Sequence, residues 1–247
     1  MIYVTGDLHG SLDISKFNTT NFPQGYSLLT KNDYVIILGD FGLIWGDTKQ
    51  ERYWLNWLNT RPWTTLFLDG NHENFERLYQ YPVEKKFGGK VTKIADFIYH
   101  LRRGEIYDID GNKIFTFGGA TSIDKASRTE HISWWKEEVP NYAEMKYGLN
   151  NLVKHDSKVD YILTHTCNKK IADKMKASWY QSLPASDIED PTVDYLTALS
   201  LVTHYKKWYF GHWHDDYTFD EYHTLLYLDI IPLGKDVVKK LEKVYNI

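Results

Sequence analysis

Short apolar runs without alternating polar residues constrain the fold of this chain most strongly. Six of them are spaced along the sequence, at Ile2–Thr5, Tyr34–Leu38, Thr64–Leu68, Lys113–Phe117, Tyr161–Thr164 and Lys207–Phe210. Such runs predict strands, and the missing alternation predicts that both faces of each strand are covered. Layers of helices provide that cover, so the pattern indicates the α/β class.

Segments with a helical spacing of apolar residues lie between these runs. They are Gln50–Asn59, Glu73–Tyr79, Tyr142–His155 and Thr192–Tyr205, with Asp236–Val244 near the end. Antiparallel strands are predicted in the region Ile94–Gly119, where the Asp110-Gly111 step is a strong hairpin signal, and again over Tyr217–Ile230. Because no repeat, linker or low-complexity tract interrupts the chain, we expect a single domain over residues 1–247 with two sheets.

Two segments lack a regular pattern. Ala120–Asn141 and Asn168–Pro191 are polar and rich in aromatic residues. Both are long for connections inside a compact domain, and long loops of that kind are often functional. We therefore expect these two loops to choose the substrate.

The composition limits the classes of partner. The chain is 43% hydrophobic and 25% charged, with a formal net charge of −4, as is usual for a soluble globular protein. Its basic residues form only short pairs, which argues against binding to long duplex nucleic acid. Cys167 is the only cysteine, the first residues do not resemble a signal peptide, and no apolar stretch is long enough to cross a bilayer. We expect a cytoplasmic protein that does not span a membrane, and its oligomeric state stays open.

Residues with metal-binding side chains follow five of the predicted strands. In chain order they are Asp7, His9, Asp40, Asn71, His72, His165, His212 and His214. Ligands of open α/β sheets bind outside the carboxyl ends of the strands, so we expect these side chains to converge. Carboxylate, imidazole and amide groups suit divalent metals such as Mn, Fe, Zn and Ni. Two such ions would clamp a phosphoryl group and supply a hydroxide nucleophile, with a carboxylate as the natural bridge.

The ordered motifs Asp-x-His-Gly, Gly-Asp, Gly-Asn-His-Glu, a single His and Gly-His-x-His resemble those of the calcineurin-like metallophosphoesterases. The resemblance extends from Asp7 to His214, which is nearly the whole chain. It implies two mixed β-sheets packed together with helices outside, as a four-layer αββα sandwich. It also implies hydrolysis of a small phosphate ester with two divalent metal ions, manganese being the leading expectation and Fe, Zn, Ni or Mg the others.

The same resemblance assigns roles to individual residues. One metal would be held by Asp7, His9 and His214, and the other by Asn71, His165 and His212. Asp40 would bridge the two ions beside the nucleophilic hydroxide. His72 would be the catalytic histidine, which protonates the leaving oxygen or steadies the transition state. Glu73 would orient His72, or it would be only a charge at a helix N-terminus.

The protein phosphatase branch of the family fits this sequence less well. That branch carries arginines after the second and third motifs, whereas here Phe41 follows Asp40 and Asn74 follows Glu73. Without those arginines, which grip a phosphate dianion, we favour a phosphodiester or a nucleotide-like small molecule as substrate. The alternatives are a phosphomonoesterase or protein phosphatase and a repair-type nuclease. A scaffold without catalysis is disfavoured because every expected ligand type is present.

Two further residues are candidate substrate contacts. Arg128 would grip a phosphate with two hydrogen bonds, or it would lie in solvent. Trp213 would stack on a ring, although such residues more often pack a loop against the protein body; the same holds for Trp134, Trp135 and Trp179. The segment Gly118–Lys125 resembles bacterial and phage members of the family. The remaining histidines, His100 among them, match no motif and are expected at the surface or in the core.

Overall fold

The computed structural model of the chain describes residues 1–179 and 190–237. Its strands are β1 (Ile2–Thr5), β2 (Tyr34–Ile37), β3 (Thr64–Phe67), β4 (Val83–Lys86), β5 (Gly89–Ala95), β6 (Ile98–Leu101), β7 (Ile106–Ile109), β8 (Asn112–Phe117), β9 (Tyr161–Thr164), β10 (Lys207–Phe210), β11 (Tyr217–Thr218), β12 (His223–Leu225) and β13 (Ile231–Pro232). Its helices are α1 (Pro23–Ser27), α2 (Lys49–Asn59), α3 (Phe75–Leu78), α4 (Tyr142–Lys154), α5 (Lys169–Trp179) and α6 (Pro191–Ser200). Short 3-10 turns occupy Ile14–Phe17, Lys125–Ser127 and Lys136–Glu138.

These strands form two mixed sheets. The order is β13-β1-β2-β3-β6-β5-β4 in the seven-stranded sheet and β11-β12-β10-β9-β8-β7 in the six-stranded sheet. Each sheet has four parallel strands at its centre, β1, β2, β3 and β6 in one and β12, β10, β9 and β8 in the other. Antiparallel strands lie at the edges. The parallel strands therefore deliver several turns to one edge of each sheet.

Three apolar clusters separate four layers. Side chains of both sheets meet in a central cluster that includes Ile36 and Leu163. The other face of the seven-stranded sheet packs on a cluster with Leu58 of α2 and Phe75 of α3. The other face of the six-stranded sheet packs on Leu152 of α4 and on residues of α5 and α6. Helices thus lie outside two packed sheets, and the predicted αββα sandwich is confirmed.

Most of the predicted elements agree with the structure. All six predicted strands are present, with ends within one residue of those expected. Asp110 and Gly111 join β7 to β8 with positive φ values of 53° and 75°, as a two-residue hairpin turn requires. The antiparallel pair β11 and β12 lies within the region Tyr217–Ile230, as expected.

Several predictions need correction. The segment Asn168–Pro191 begins with α5 rather than an irregular loop, and its residues 180–189 lie outside the described chain. The helix predicted over Thr192–Tyr205 ends at Ser200, and His204 beyond it pairs with Lys158 in an isolated bridge. The region Ile94–Gly119 is divided, since β6 belongs to the seven-stranded sheet and β7 to the six-stranded one.

The hairpin of β4 and β5 was not predicted, because the sequence of β4 is mostly charged and lies at a sheet edge. The helix predicted over Asp236–Val244 falls almost wholly outside the described residues. Within residues 1–179 and 190–237, no helix has the length and apolar character needed to cross a membrane.

Candidate metal centre

The turns after β1, β2, β3, β9 and β10 bring the candidate ligands to one place at the carboxyl ends of these strands. The seven candidate ligands are Asp7, His9, Asp40, Asn71, His165, His212 and His214. Four of them have φ between 44° and 72°, namely His9, Asp40, His212 and His214. Side chains other than glycine rarely adopt this left-handed region, and such strained turns cluster at functional sites.

Glycines beside three ligands make room for ligands from other strands. A Cβ would lie 2.1 Å from His165 Nδ1 at Gly39, 2.0 Å from Asp40 Oδ1 at Gly70, and 2.2 Å from Asp7 Oδ1 at Gly211. A carbon atom cannot approach a non-bonded nitrogen or oxygen atom so closely. Each glycine therefore lets a ligand of another strand lie directly against the backbone.

Asp7, His9, Asp40 and His214 form the first ligand group. One ligand atom of each lies within 4.8 Å of the others. Asp7 Oδ2 is 3.2 Å from His214 Nε2, and Asp40 Oδ2 is 3.3 Å from His9 Nε2. Both carboxylates are buried, whereas the His214 side chain is 49% exposed. The group is therefore open to solvent on the His214 side.

Asn71, His165 and His212 form the second ligand group. Asn71 Oδ1 lies 3.0 Å from His165 Nε2, and the rings of His165 and His212 have centroids 5.0 Å apart. His165 Nε2 also lies 3.5 Å from Asp40 Oδ1. Asp40 thus faces the second group with Oδ1 and the first group with Oδ2.

Acceptor atoms face one another at the second ligand group. His165 Nδ1 lies 2.8 Å from the Leu38 carbonyl, which can only accept, so Nδ1 carries the proton of the neutral ring. His165 Nε2 is then an acceptor and points at the Asn71 carbonyl oxygen. The buried Asp40 Oδ2 accepts no hydrogen bond from any described residue. Converging lone pairs fit a cation, and adjacent ligands of one octahedral ion lie about 3 Å apart.

His72 lies beside the ligand groups. Its backbone N–H donates to Asp40 Oδ1 at 2.7 Å, and its ring centroid is 5.7 Å from that of His9. Arg128 reaches the ring from the segment Ala120–Asn141, with Nη1 3.0 Å from His72 Nδ1. Burial lowers the pKa of His72; Asp40 opposes that shift, and the Arg128 guanidinium adds to it. The ring is therefore neutral near pH 7.

The family to which this constellation belongs follows from a comparison with known families. The model of a family described as calcineurin-like phosphoesterase matches residues 1–216, which contain all the candidate ligands. The chain belongs to the calcineurin-like phosphoesterase family. It is therefore a metal-dependent enzyme that hydrolyses phosphoric esters, and the resemblance seen in the sequence is confirmed.

Individual proteins are more distant from this phosphoesterase. No curated protein matches it significantly. Among solved structures, the phosphopantetheinyl hydrolase PptH from Mycobacterium tuberculosis is similar at 13% sequence identity, with a TM-score of 0.45, over 92% of this chain and 87% of that chain. At that distance the similarity carries no information about the substrate.

The two ligand groups of this phosphoesterase differ in their affinity for protons. Burial disfavours a charged His9, but the carboxylates of Asp40 and Asp7 outweigh burial and raise the pKa of His9 to about 9. Burial and the neighbouring His165 lower the pKa of His212 to about 4. Burial would raise the pKa values of Asp7 and Asp40, but the charged forms of the surrounding histidines, His165 foremost, lower them below the usual carboxyl range. Both carboxyls are therefore ionised at neutral pH.

Residues that support the first group were missed from the sequence. Asp13 Oδ2 lies 2.8 Å from His9 Nδ1, and Asp13 Oδ1 accepts from the Tyr227 hydroxyl at 3.1 Å. A carboxylate on Nδ1 fixes the tautomer that leaves Nε2 free as a ligand. The buried Lys16 ammonium donates to the backbone carbonyls of Asp7 and Tyr227 at 2.6 and 2.8 Å. The one available signal was that Asp13 follows His9 by four residues.

Glu73 supports a different residue from the one expected. Its side chain is buried, and its carboxylate accepts from the backbone N–H groups of Phe41 and Gly42 at 2.6 and 3.3 Å. Those bonds hold the turn that carries Asp40. Glu73 therefore orients the Asp40 turn rather than His72, which corrects the role that the sequence suggested.

A buried charged network lies behind the turn after β3. Asp69 accepts from His100 Nε2 at 2.9 Å and from Arg103 Nε at 2.7 Å, and all three side chains are almost fully buried. Burial would raise the pKa of Asp69, but Arg103 and His100 hold it well below its usual range. No sequence pattern indicated this network, because its members come from separate segments without a shared motif.

The two candidate substrate contacts differ in position. Arg128 Nε donates to Asp124 Oδ1 at 2.7 Å while Nη1 faces His72, so the guanidinium lies at the metal centre. Trp213 is half-buried, its ring centroid lies 5.5 Å from that of His212, and it packs on the cluster beneath α4, α5 and α6. Packing thus accounts for Trp213. The side chain of Trp179 lies outside the described residues.

Proposed function

We propose that this phosphoesterase uses two divalent metal ions to hydrolyse phosphodiesters or nucleotide-like small molecules. The observation that carries the proposal is the position of Asp40, whose two carboxylate oxygens face different ligand groups. A carboxylate shared in this way suits two ions held close together, as in two-metal hydrolases.

Each ligand group would hold one ion. The first ion would be bound by Asp7, His9 and His214, and the second by Asn71, His165 and His212, with Asp40 between them. When bound, the ions would polarise the phosphoryl oxygens and lower the pKa of a bound water toward neutrality. Nitrogen and oxygen donors without sulfur suit manganese, our first choice, and also iron, zinc, nickel or magnesium.

His72 and Arg128 would form the catalytic pair supplied by the protein itself. A guanidinium can only donate, so its shorter contact, 3.0 Å to His72 Nδ1, makes that nitrogen the acceptor. The proton of the neutral ring then resides on Nε2, from which His72 would donate to the leaving oxygen. Arg128 would add a positive charge beside the phosphoryl group.

The charges around His72 favour a diester over a monoester. The Arg128 guanidinium that contacts His72 is paired with Asp124 at 2.7 Å. One partly neutralised guanidinium matches the single charge of a phosphodiester better than the two charges of a monoester. The net charge of −4 argues against long duplex nucleic acid. A phosphomonoester is the second candidate, because Arg128 does place one guanidinium at the centre.

A substrate panel tests this proposal. Protein stripped with a chelator is reconstituted with manganese and assayed with bis(4-nitrophenyl) phosphate, 4-nitrophenyl phosphate, a cyclic nucleotide and single-stranded DNA. We expect the small diester and the cyclic nucleotide to be hydrolysed faster than the monoester, and no turnover without metal. Faster hydrolysis of the monoester would overturn the preference for diesters, and undiminished turnover by stripped protein would overturn the metal mechanism.

A further inference from the structure

Two buried side chains of the segment Ala120–Asn141 lie behind Asn71. Ser122 is 1% exposed and Glu138 is 0% exposed. Glu138 Oε1 accepts from the Ser122 backbone N–H at 2.9 Å, and Oε2 accepts from the Ser122 hydroxyl at 2.6 Å. Ser122 Oγ in turn accepts from Asn71 Nδ2 at 3.1 Å. The three side chains form a line of hydrogen bonds that ends at the second ligand group.

Glu138 determines which atoms donate and which accept along this line of hydrogen bonds. A carboxylate has no proton to donate, so both of its bonds with Ser122 use protons of Ser122. The single hydroxyl proton of Ser122 is thereby committed to Glu138, and Oγ has only lone pairs to offer Asn71. The amide nitrogen of Asn71 must face Ser122, which turns Oδ1 toward His165 Nε2, 3.0 Å away.

Without this constraint, the opposite orientation of the Asn71 amide would suit the metal-free protein better. In the neutral His165 ring Nε2 is an acceptor, because Nδ1 donates to the Leu38 carbonyl. A rotated amide would donate from Nδ2 to His165 Nε2 and accept the Ser122 proton at Oδ1. Asn71, Ser122 and the neutral His165 ring would then all be paired without a cation, but the amide nitrogen has no lone pair to offer a metal.

We propose that Glu138 acts through Ser122 as a positioning residue that holds Asn71 in its metal-binding orientation. The inference rests on the proposed role of Asn71 as a ligand of the second ion. Groups that orient metal ligands are worth about 10- to 100-fold in metal affinity. The Glu138 carboxylate orients the Ser122 hydroxyl, and the hydroxyl orients the Asn71 amide. The Asn71 oxygen therefore faces the ligand group before an ion binds.

The main chain at Glu138 is held independently of the Ser122 hydroxyl. Arg103 Nη2 donates to the backbone carbonyls of Glu137 and Glu138 at 2.8 and 3.3 Å. Gly119 has a φ of +86°, and a Cβ there would lie 2.4 Å from the Glu138 carbonyl oxygen. A change in the Glu138 side chain should therefore alter the line of hydrogen bonds and leave the segment in place.

Glu138→Gln reverses the line with almost no change in shape. The new amide oxygen still accepts from the Ser122 backbone N–H, while the amide nitrogen donates to Ser122 Oγ and frees the hydroxyl proton for Asn71 Oδ1. Manganese is titrated into metal-free protein by calorimetry at pH 8. We expect affinity at the second site to fall by about 10- to 100-fold while the first site is unchanged.

Glu105→Gln is the matched control for this substitution. Glu105 is also buried, and its carboxylate accepts from the Tyr147 hydroxyl at 2.7 Å. Both sites should keep their affinity in Glu105→Gln, and the melting temperature of each metal-free variant reports whether it folds. Ser122→Ala removes the middle of the line and should weaken the second site as Glu138→Gln does. It supplies the test if Glu138→Gln does not fold.

Asn71→Asp gives an internal check, because a carboxylate presents an oxygen in either orientation. Adding Glu138→Gln to Asn71→Asp should cost no further affinity at the second site. A further loss of affinity in the double variant would overturn the positioning role, because the effect of Glu138→Gln would then not depend on the orientation of an amide.

The remaining outcomes separate this inference from the proposed function. Wild-type protein that binds fewer than two manganese ions would overturn the two-metal proposal. Two ions in the wild type with undiminished affinity in Glu138→Gln and Ser122→Ala would overturn the positioning role alone. An equal loss in Glu105→Gln would overturn it as well, because the effect would then belong to any buried carboxylate.

Discussion

The two candidate ligand groups of this phosphoesterase differ in charge and in their affinity for protons. The first contains both carboxylates, and the carboxylates raise the pKa of its His9 to about 9 against the effect of burial. The second contains two imidazoles and an amide, and burial lowers the pKa of its His212 to about 4. A cation must displace a proton from His9 at the first group, whereas His212 at the second group has already lost its proton at neutral pH.

The two groups also differ in solvent exposure and in charge. His214 of the first group is 49% exposed, while His165 of the second is fully buried. The first group attracts a cation with the charges of Asp7 and Asp40. The second depends on the orientation of neutral donors and on the one charge that Asp40 shares with it. The comparison teaches that Asp40 and the Glu73 that holds its turn bear on both groups, whereas Asp13 contacts the first group and Ser122 the second.

Removal of Asp40 should break both groups and have the largest effect. Asp40→Ala takes away the carboxylate that faces both, and we expect kcat/KM to fall by about a thousandfold or more with loss of both ions. Steady-state kinetics and elemental analysis of bound metal measure this. Asp47→Ala is the control, since Asp47 is 55% exposed and pairs with Arg52 at 3.0 Å. Two bound ions and near-normal turnover in Asp40→Ala would show that the groups do not share this residue.

Closing the space beside Asp40 should have the next largest effect. A Cβ at Gly70 would lie 2.0 Å from Asp40 Oδ1, so Gly70→Ala must displace that oxygen. Overpacking of this kind costs about 1–3 kcal/mol, and we expect manganese affinity to fall by about 10- to 100-fold. Gly46→Ala is the matched control, because the nearest atom to its Cβ would be 3.6 Å away. Equal affinity in the two variants would refute the steric argument.

Loss of the Asp13 carboxylate should weaken the first group alone. Asp13→Asn removes the charge that holds His9 Nδ1 at 2.8 Å, and affinity at the first site should fall by at most about 10- to 100-fold. Asp220→Asn is the control, because Asp220 holds His223 Nδ1 at the same distance away from the ligands. A manganese titration that showed weakening at the second site would contradict the division into two groups.

The pH dependence of metal affinity should be the smallest of these differences between the groups. His9 is protonated below a pKa of about 9, so affinity at the first site should rise by at most about tenfold per pH unit up to that value. His212 has a pKa of about 4 and has already lost its proton at neutral pH, so it adds no pH dependence between pH 6 and 9. Calorimetry in buffers of different ionisation enthalpy measures the proton released. Release at the second site and none at the first would contradict these assignments.

The ligands could be predicted from the sequence because each one follows a strand closely. Asp7, Asp40, His165 and His212 come within three residues of the ends of β1, β2, β9 and β10. Parallel strands place such turns at one edge of a sheet, so local order along the chain is enough to gather the ligands. The flanking glycines belonged to the same motifs and were visible with them.

The supporting residues could not be predicted, because their contacts depend on how distant segments fold back. Ser122 meets Asn71 across 51 residues, and Arg103 meets Asp69 across 34. No period or motif within one segment encodes such contacts. The expected role of Glu73 failed for a related reason, since the sequence placed it next to His72 while its bonds reach back to Phe41.

Anomalous diffraction from crystals grown with manganese tests the two-group arrangement most directly. Two manganese peaks are expected, roughly 3.5–4 Å apart, with Asp40 between them. One should lie among Asp7, His9 and His214, and the other among Asn71, His165 and His212. A single peak, or peaks away from these side chains, would contradict the arrangement.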